Sequence, residues 1–274
     1  MHKFVSFDRR IIPAHNSLLS AVSAAALYGK GIFTTVAFYN SKPFLWEKHR
    51  RRLSAAAEKL QIDLTDLTEE KLKAALFEIA DANRLRRGRA RLTIFDESPS
   101  RVWQTEPKNK TSFLIQTADF RPSADNLRLT VSPFSINSKS PLAGVKTCNY
   151  LENILALEDA NAKGFDEAVR LNERKETVSA TTANIFWVKN GEIFTPSLET
   201  ECLAGTTRAF IAENFAVRET KADTRELIDA DEVFLTSAGI GISRVETLNE
   251  KCFFDLPETT TNLQKFFQSF TETL

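Results

Sequence analysis

The stretch "GVKTCNYLENILALEDANAKGF", residues 144–165, decides how the rest of the chain is read. Lys146 stands just ahead of a segment with helical spacing, and no acidic residue lies within five positions of it on either side. On a surface such a lysine is ordinary. Enclosed in a cleft, it loses hydration, its ammonium form is disfavoured, and the neutral amine becomes a nucleophile for a carbonyl. The following helix closes at Gly164, a residue suited to the left-handed conformation just past a helix end.

Working outward, 274 residues suffice for one large or two modest domains, and 42% apolar residues is ordinary for a globular protein. A net charge of zero removes any general attraction to nucleic acid or to an acidic membrane surface. The basic runs "KHRRRL" and "RLRRGRAR" read as solvated faces. "MHKFVSFDRR" lacks the apolar core of a secretory signal, and no apolar run reaches the about 18 residues of a membrane span. Cys148, Cys202 and Cys252 show no Cys-x-x-Cys spacing, which suits a reducing, cytoplasmic setting. His2, His15 and His49 lack metal-ligand spacing, so no metal is expected.

Residues 4–12 read as one or two short strands punctuated by Pro13. "GIFTTVAFYNSKPFLWEKH" is β-branched and aromatic on both sides of "YNSK", a hairpin pattern. "EKHRRRLSAAAEKLQI" and "TEEKLKAALFEIADANRL" repeat at helical spacing, the second ending near Asn83. "ARLTIFD" and "TSFLIQTADF" alternate as strands. The Pro- and Asn-bearing segment at 121–127 divides the chain into an N-terminal domain, 1–120, and a larger C-terminal domain, 128–274. In the latter, "LRLTVSPF", "EAVRLN", "VSATTANIFWVKNGEIFTP", "DEVFLTSA" and "ISRVETLN" are strand-like, with "KNGE" a hairpin turn. "TTRAFIAENFAV" and "TNLQKFFQSFTETL" are helical. The expectation is an α/β protein of two lobes with mixed sheets.

"KTCNYLE" resembles the Schiff-base lysine segment of the class IV aminotransferases. These are the fold-type IV pyridoxal phosphate enzymes, comprising branched-chain and D-amino acid aminotransferases and 4-amino-4-deoxychorismate lyases. Three further stretches follow in the family's order. "YGKGIFTTVAF" (28–38) is similar to its Y-G-x-G-x-F hairpin, which implies Tyr28 over the active site. "HRRRLSAAAEKL" is similar to its H-x-x-R-L helix, which implies that Arg52 binds the cofactor's phosphate. "SATTANIFWVKNGEIFTPSLETECLAGTTR" (179–208) covers most of its signature, with Gly205, Thr206 and Thr207 opening a helix whose amides and dipole suit a phosphate. "FLTSAGIGIS" implies a second cradle through Ser237 and Ala238. The resemblance also implies a site in the interdomain cleft, a homodimer and a small amino acid or 2-oxo acid substrate.

The sequence departs from that pattern in places. The family's signature opens on a glutamate that keeps the cofactor's ring nitrogen protonated, and here the position is Ser179. Glu176, three residues away, falls on the opposite strand face. Thr206 replaces an aliphatic residue. The family's Arg-Gly after "ARLTI" is absent, Phe95-Asp96 standing there instead. This leaves Arg89 or Arg91 as candidates for a substrate carboxylate, or as solvated charges. "FTT" (33–35) is similar to the lyases, in which a threonine such as Thr35 assists proton transfer; β-propensity alone also accounts for it. Tyr28 and Tyr150 are substrate-side candidates or core aromatics, Asn149 a site residue or a helix cap, His49 a packing or capping residue, and Cys148 a small buried hydrophobe. The implied function is amino transfer through Lys146. Pyruvate elimination from aminodeoxychorismate is the alternative, and a degenerate cofactor-binding homologue a third.

Overall fold

The computed structural model describes residues 1–101, 104–105, 110–120, 126–253 and 258–274. The chain divides into two compact units. Unit 1 comprises Met1–Phe120, Val145–Asn149 and Leu274, and unit 2 comprises Arg121–Gly144 and Tyr150–Thr273. Of the expected linker, residues 121–125 lie outside the described residues, and Leu127 already opens a strand.

In chain order, unit 1 contains β1 (Phe4–Phe7), β2 (Arg10–Pro13), α1 (Ala24–Tyr28), β3 (Gly31–Tyr39), β4 (Lys42–Pro43), α2 (Trp46–Leu60) and α3 (Glu69–Ala82). These are followed by β5 (Gly88–Asp96), the short pair β6 (Ser100–Arg101) and β7 (Gln104–Thr105), and β8 (Thr111–Ala118). Six strands form an antiparallel sheet in the order β2-β1-β8-β5-β3-β4. The turn between β3 and β4 uses Asn40 and Ser41 at φ of 48° and 64°, the two left-handed residues of a tight hairpin. Strand alternation sends Ile32, Val36 and Phe38 to one face. There they pack with Leu53 and Ala57 of α2 and with Leu72, Leu76 and Ile79 of α3 in a continuous core. Helix α3 starts where the Thr68 side chain accepts the Lys71 amide, with Glu69 and Glu70 in the dipole-favoured first turn.

Two features of unit 1 differ from expectation. "YGKGIF" is not a hairpin: Tyr28 ends the short helix α1, and Gly29 leaves it at φ 63°. Sequence reading also assigns Lys146 to the C-terminal domain, whereas Val145–Asn149 falls in unit 1. The Phe33 amide donates to the Lys146 carbonyl (2.9 Å) and the Cys148 amide to the Gly31 carbonyl (2.8 Å), with Ile32 opposite Thr147. Residues 146–148 thus run as a short added strand along the edge of β3.

Unit 2 contains β9 (Leu127–Val131), α4 (Leu151–Ala162), β10 (Glu167–Leu171), β11 (Thr177–Ala180), β12 (Asn184–Lys189) and β13 (Glu192–Pro196). After these come α5 (Thr206–Asn214), β14 (Val217–Thr220), α6 (Thr224–Ile228), β15 (Glu232–Ser237), β16 (Gly241–Leu248), β17 (Lys251–Cys252) and α7 (Glu258–Glu272). Its sheet is mixed, in the order β11-β10-β9-β16-β15-β12-β13-β14, with β17 on β16. The pairs β9–β10, β9–β16 and β13–β14 are parallel. Leu127, Leu129, Val169, Ile185, Trp187, Val233, Leu235 and Val245 form its core. Asn190 and Gly191, at φ of 52° and 76°, make the "KNGE" turn. No described helix is long and apolar enough to cross a membrane.

Candidate active site

The added strand fixes Lys146 on unit 1. Its Nζ lies 4.5 Å from the centroid of the Phe33 ring, and the Arg91 Cζ lies 3.7 Å from the same centroid. Phe33 points from the face of β3 opposite the helical core, and Arg91 on β5 shares that face because it pairs with Thr35. The two cations are therefore at most 8.2 Å apart, the sum of 3.7 and 4.5 Å. Although part of the Lys146 side chain remains open, desolvation of the amine, then Arg52, then Arg91, lower its pKa to about 7. Such an amine is neutral at a pH where an ordinary lysine is not.

Arg52 reaches this region from α2. Its Nη2 donates to Thr34 Oγ1 at 2.8 Å, and Thr34 Oγ1 is 2.6 Å from His49 Nδ1. Burial, with Arg52 and Lys146 adding to it, pushes the His49 pKa well below its usual value, so the ring is neutral. We assign the Thr34 proton to His49 Nδ1, since Thr34 already accepts from Arg52. The hydroxyl expected to matter was that of Thr35, which is only half-buried. Thr34 is fully buried and ties the helix to the strand. Alternation along a strand guarantees that one threonine faces the helix, but which one depends on register.

Other expectations in unit 1 resolve locally. Asn149 does not cap α4: its Nδ2 donates to the Gly29 carbonyl (3.0 Å), while the cap position is Tyr150, whose side chain makes no capping bond to the helix. A larger residue at Gly29 would be strained at φ 63° and would displace the Asn149 side chain, since a Cβ there would lie 2.6 Å from Asn149 Oδ1. Tyr28 is 40% exposed at the end of α1. Burial raises the Cys148 thiol pKa, which argues against a thiolate nucleophile. Asp96 is buried and paired with Lys30 at 2.9 Å.

In unit 2, α5 opens at Gly205, with the Ala209 amide donating to the Gly205 carbonyl (2.9 Å). A Cβ on Gly205 would fall 1.9 Å from Asn184 Oδ1, so a larger residue at the helix start would have to displace the Asn184 side chain. Asn184 Nδ2 in turn donates to the Leu203 carbonyl at 2.8 Å. Thr206 and Thr207 are buried, and Thr207 Oγ1 has no hydrogen-bond partner among the described residues. A buried, unsatisfied hydroxyl at the positive end of a nine-residue helix fits an anion with several acceptor oxygens. Thr236 Oγ1 is likewise buried and unsatisfied, directly before Ser237 and Ala238.

Ser179 is half-buried on β11, opposite Arg170 of β10. Glu176 is turned to Asn172 Nδ2 (2.7 Å) and Arg174 Nε (2.9 Å), so it does not stand in for the missing glutamate. Tyr150 donates to the Thr181 carbonyl at 3.1 Å. Glu167, which sequence reading passed over, is buried and accepts the amides of Thr181 and Thr182 at 2.9 Å each, along with both hydroxyls. It holds the turn between β11 and β12, and an acid inside the apolar run "FDEAVRL" is the signal that marks it.

The chain as a whole is similar to known enzymes. The model of the class IV amino-transferases matches residues 31–248. The aminodeoxychorismate lyase of Bacillus subtilis (strain 168) is 27% identical over 252 residues, covering 88% of this chain and 86% of the relative. A putative branched-chain-amino-acid aminotransferase of Methanocaldococcus jannaschii is 29% identical over 246 residues, covering 87% and 85%. The crystal structure of the branched-chain aminotransferase from Thermoproteus uzoniensis with norvaline superposes with a TM-score of 0.92 at 23% identity. It covers 100% of this chain and 96% of that one. The chain belongs to the class IV aminotransferase family, whose enzymes depend on pyridoxal phosphate.

Proposed function

We propose that this chain uses pyridoxal phosphate, held through Lys146, to move an amino group between an amino acid and a 2-oxo acid. The observation that carries the reading is the Lys146 amine, brought to a pKa of about 7 by desolvation with Arg52 and Arg91. When bound, the cofactor supplies an aldehyde and a ring that withdraws electrons from the substrate Cα. The neutral amine of Lys146 acts as nucleophile toward an aldehyde and as base for the Cα proton. Arg52, oriented by Thr34, supplies charge for the phosphate. Gly205, Thr206 and Thr207 at the start of α5, with Ser237 and Ala238, supply its hydrogen-bond donors. Ser179 takes the position facing the ring nitrogen. Arg91, with Tyr28, Thr35 and Tyr150, serves the substrate, the guanidinium taking its carboxylate.

A second reading, pyruvate elimination from aminodeoxychorismate, is favoured by the Phe33-Thr34-Thr35 triplet, which is similar to the lyases, and is compatible with Ser179. That elimination ends in an aromatic product and depends less on a strongly electron-withdrawing ring. The same proposal includes a cytoplasmic location and a homodimer, the dimer supported by Leu151, Ile154 and Leu155, which expose 67%, 39% and 46% of their surface on α4. Analytical ultracentrifugation tests it.

The deciding experiment adds pyridoxal phosphate to the purified protein and follows its visible band while L- and D-amino acids are added without acceptor. Conversion to the pyridoxamine form identifies amino transfer and its donor. A band unchanged by every amino acid, with aminobenzoate and pyruvate released from aminodeoxychorismate, replaces this reading with the lyase. A Lys146→Ala protein that forms the same band refutes the role of Lys146.

A further inference from the structure

The strand pairing that replaces the family's glutamate by Ser179 also places a buried cation beside it. Arg170 and Ser179 are directly opposite in the β10–β11 ladder, so their side chains leave the same face of the sheet. Arg170 is only 1% exposed. Its Nε donates to the Phe134 carbonyl (3.2 Å), and its Nη1 to Asn153 Oδ1 (2.8 Å) and the Glu152 carbonyl (3.4 Å). All three acceptors are neutral. Nη2 is buried without a hydrogen bond among the described residues, and the Glu152 carboxylate 4.0 Å away is 81% exposed. Burial lowers the Arg170 pKa, yet a guanidinium stays charged in a folded protein.

The other carboxylates near this ladder keep their charge, and those of Glu152 and Glu167 act on Arg170, but their bonds run elsewhere than to Ser179. Glu167 is taken up by Thr181 and Thr182, and Glu176 by Asn172 and Arg174. Tyr150, which acts on Arg170 as well, donates its hydroxyl proton to the Thr181 carbonyl. Ser179 itself therefore offers one hydroxyl, and the residue paired with it across the ladder is a cation and not a carboxylate.

We propose that Arg170 and Ser179 together hold the ring nitrogen of bound pyridoxal phosphate in its unprotonated form. This rests on the reading that Ser179 faces that nitrogen. A protonated ring nitrogen there would be a second buried cation, bonded to a hydroxyl where the family has a carboxylate, which both desolvation and repulsion from Arg170 oppose. An unprotonated nitrogen instead accepts the Ser179 hydroxyl proton. The protein thereby chooses a weaker electron sink than a glutamate would give. Arg170 acts here as a positioning residue for charge and need not touch the cofactor.

The test is nitrogen NMR of the holoenzyme loaded with ring-15N pyridoxal phosphate, between about pH 6 and 9. The wild type is expected to show the unprotonated pyridine shift throughout. Ser179→Glu is expected to move it to the pyridinium position, and Arg170→Met, which keeps the packing of the stem, to bring a titration into that window. A pyridinium shift in the wild type overturns the proposal. An unprotonated shift that persists unchanged in folded Arg170→Met overturns the role of Arg170. Should Arg170→Met not fold, Arg170→Lys, which keeps the charge, must retain the unprotonated shift, and a pyridinium shift in it counts against the proposal. A holoenzyme whose visible band never forms fails at Lys146 instead, and takes this inference down with the reading beneath it.

Discussion

Replacing Arg91 by leucine removes one of the two cations that depress Lys146, and the size of the effect follows from the Phe33 ring. The ring centroid lies 3.7 Å from Arg91 Cζ and 4.5 Å from Lys146 Nζ, so the charges are no more than 8.2 Å apart. At about 8 Å and an effective dielectric of about 20, two unit charges repel by about 2 kcal/mol, or about 1.5 pKa units. Partial exposure of both side chains reduces this, and we expect a rise of about one unit. Desolvation and Arg52 remain, so the amine should stop near pH 8, well short of an exposed lysine. The assay is the pH dependence of Lys146 acylation in the cofactor-free protein, read by peptide mass spectrometry against an exposed lysine. Arg91→Lys, which keeps a cation, should leave the midpoint near that of the wild type. A midpoint in Arg91→Leu at or below the wild-type value would refute the electrostatic coupling and leave desolvation alone as the cause.

Lys146→Met should stabilise the cofactor-free protein, and more so at pH 6 than at pH 10. Because the folded pKa of about 7 lies below the unfolded value, the charged amine costs stability in full below pH 7, and the cost fades as pH rises toward about 10.4; equal melting-temperature gains at both pH values would count against the assigned shift. Thr34→Val leaves Arg52 Nη2 and His49 Nδ1 without their shared hydroxyl and should cost about 1–3 kcal/mol in urea unfolding, with Thr34→Ser restoring most of it. A loss in Thr34→Val below about 0.5 kcal/mol would mean that other partners carry the contact. Gly205→Ala drives a Cβ into Asn184 Oδ1 and should lower stability by about 2 kcal/mol or more, while the Gly205→Ala, Asn184→Ala pair should be less destabilised than the sum of its parts. Strict additivity in thermal denaturation would show that the clash is relieved elsewhere.

Local chemistry made part of this protein legible. Asn40-Ser41 and Asn190-Gly191 announce their turns because few residues accept two positive φ values in succession. The helical periods of α2 and α3 follow from faces that must meet β3, and Gly205-Thr206-Thr207 is recognisable because an anion at a helix start needs small residues and donors. What escaped depends on pairing between distant segments. The 145–149 segment reads as loop, since its hydrogen-bond partners are Gly31 and Phe33. Thr34 could not be preferred over Thr35 until register with α2 was known. Arg170 reads as an ordinary strand residue until β11 places Ser179 opposite it. The short helix α1 was hidden in "SAAALYG", where small residues carry no strong period.

The strand that carries Lys146 has a consequence for how the protein is made. The six strands of the unit 1 sheet are complete by Ala118, yet the segment that lines the free edge of β3 is not synthesised until residues 145–149. The reactive amine takes its place only when two segments about 115 residues apart pair, Gly31 and Phe33 with Cys148 and Lys146. Its placement is a long-range closure, of the kind that costs most chain entropy and forms slowly.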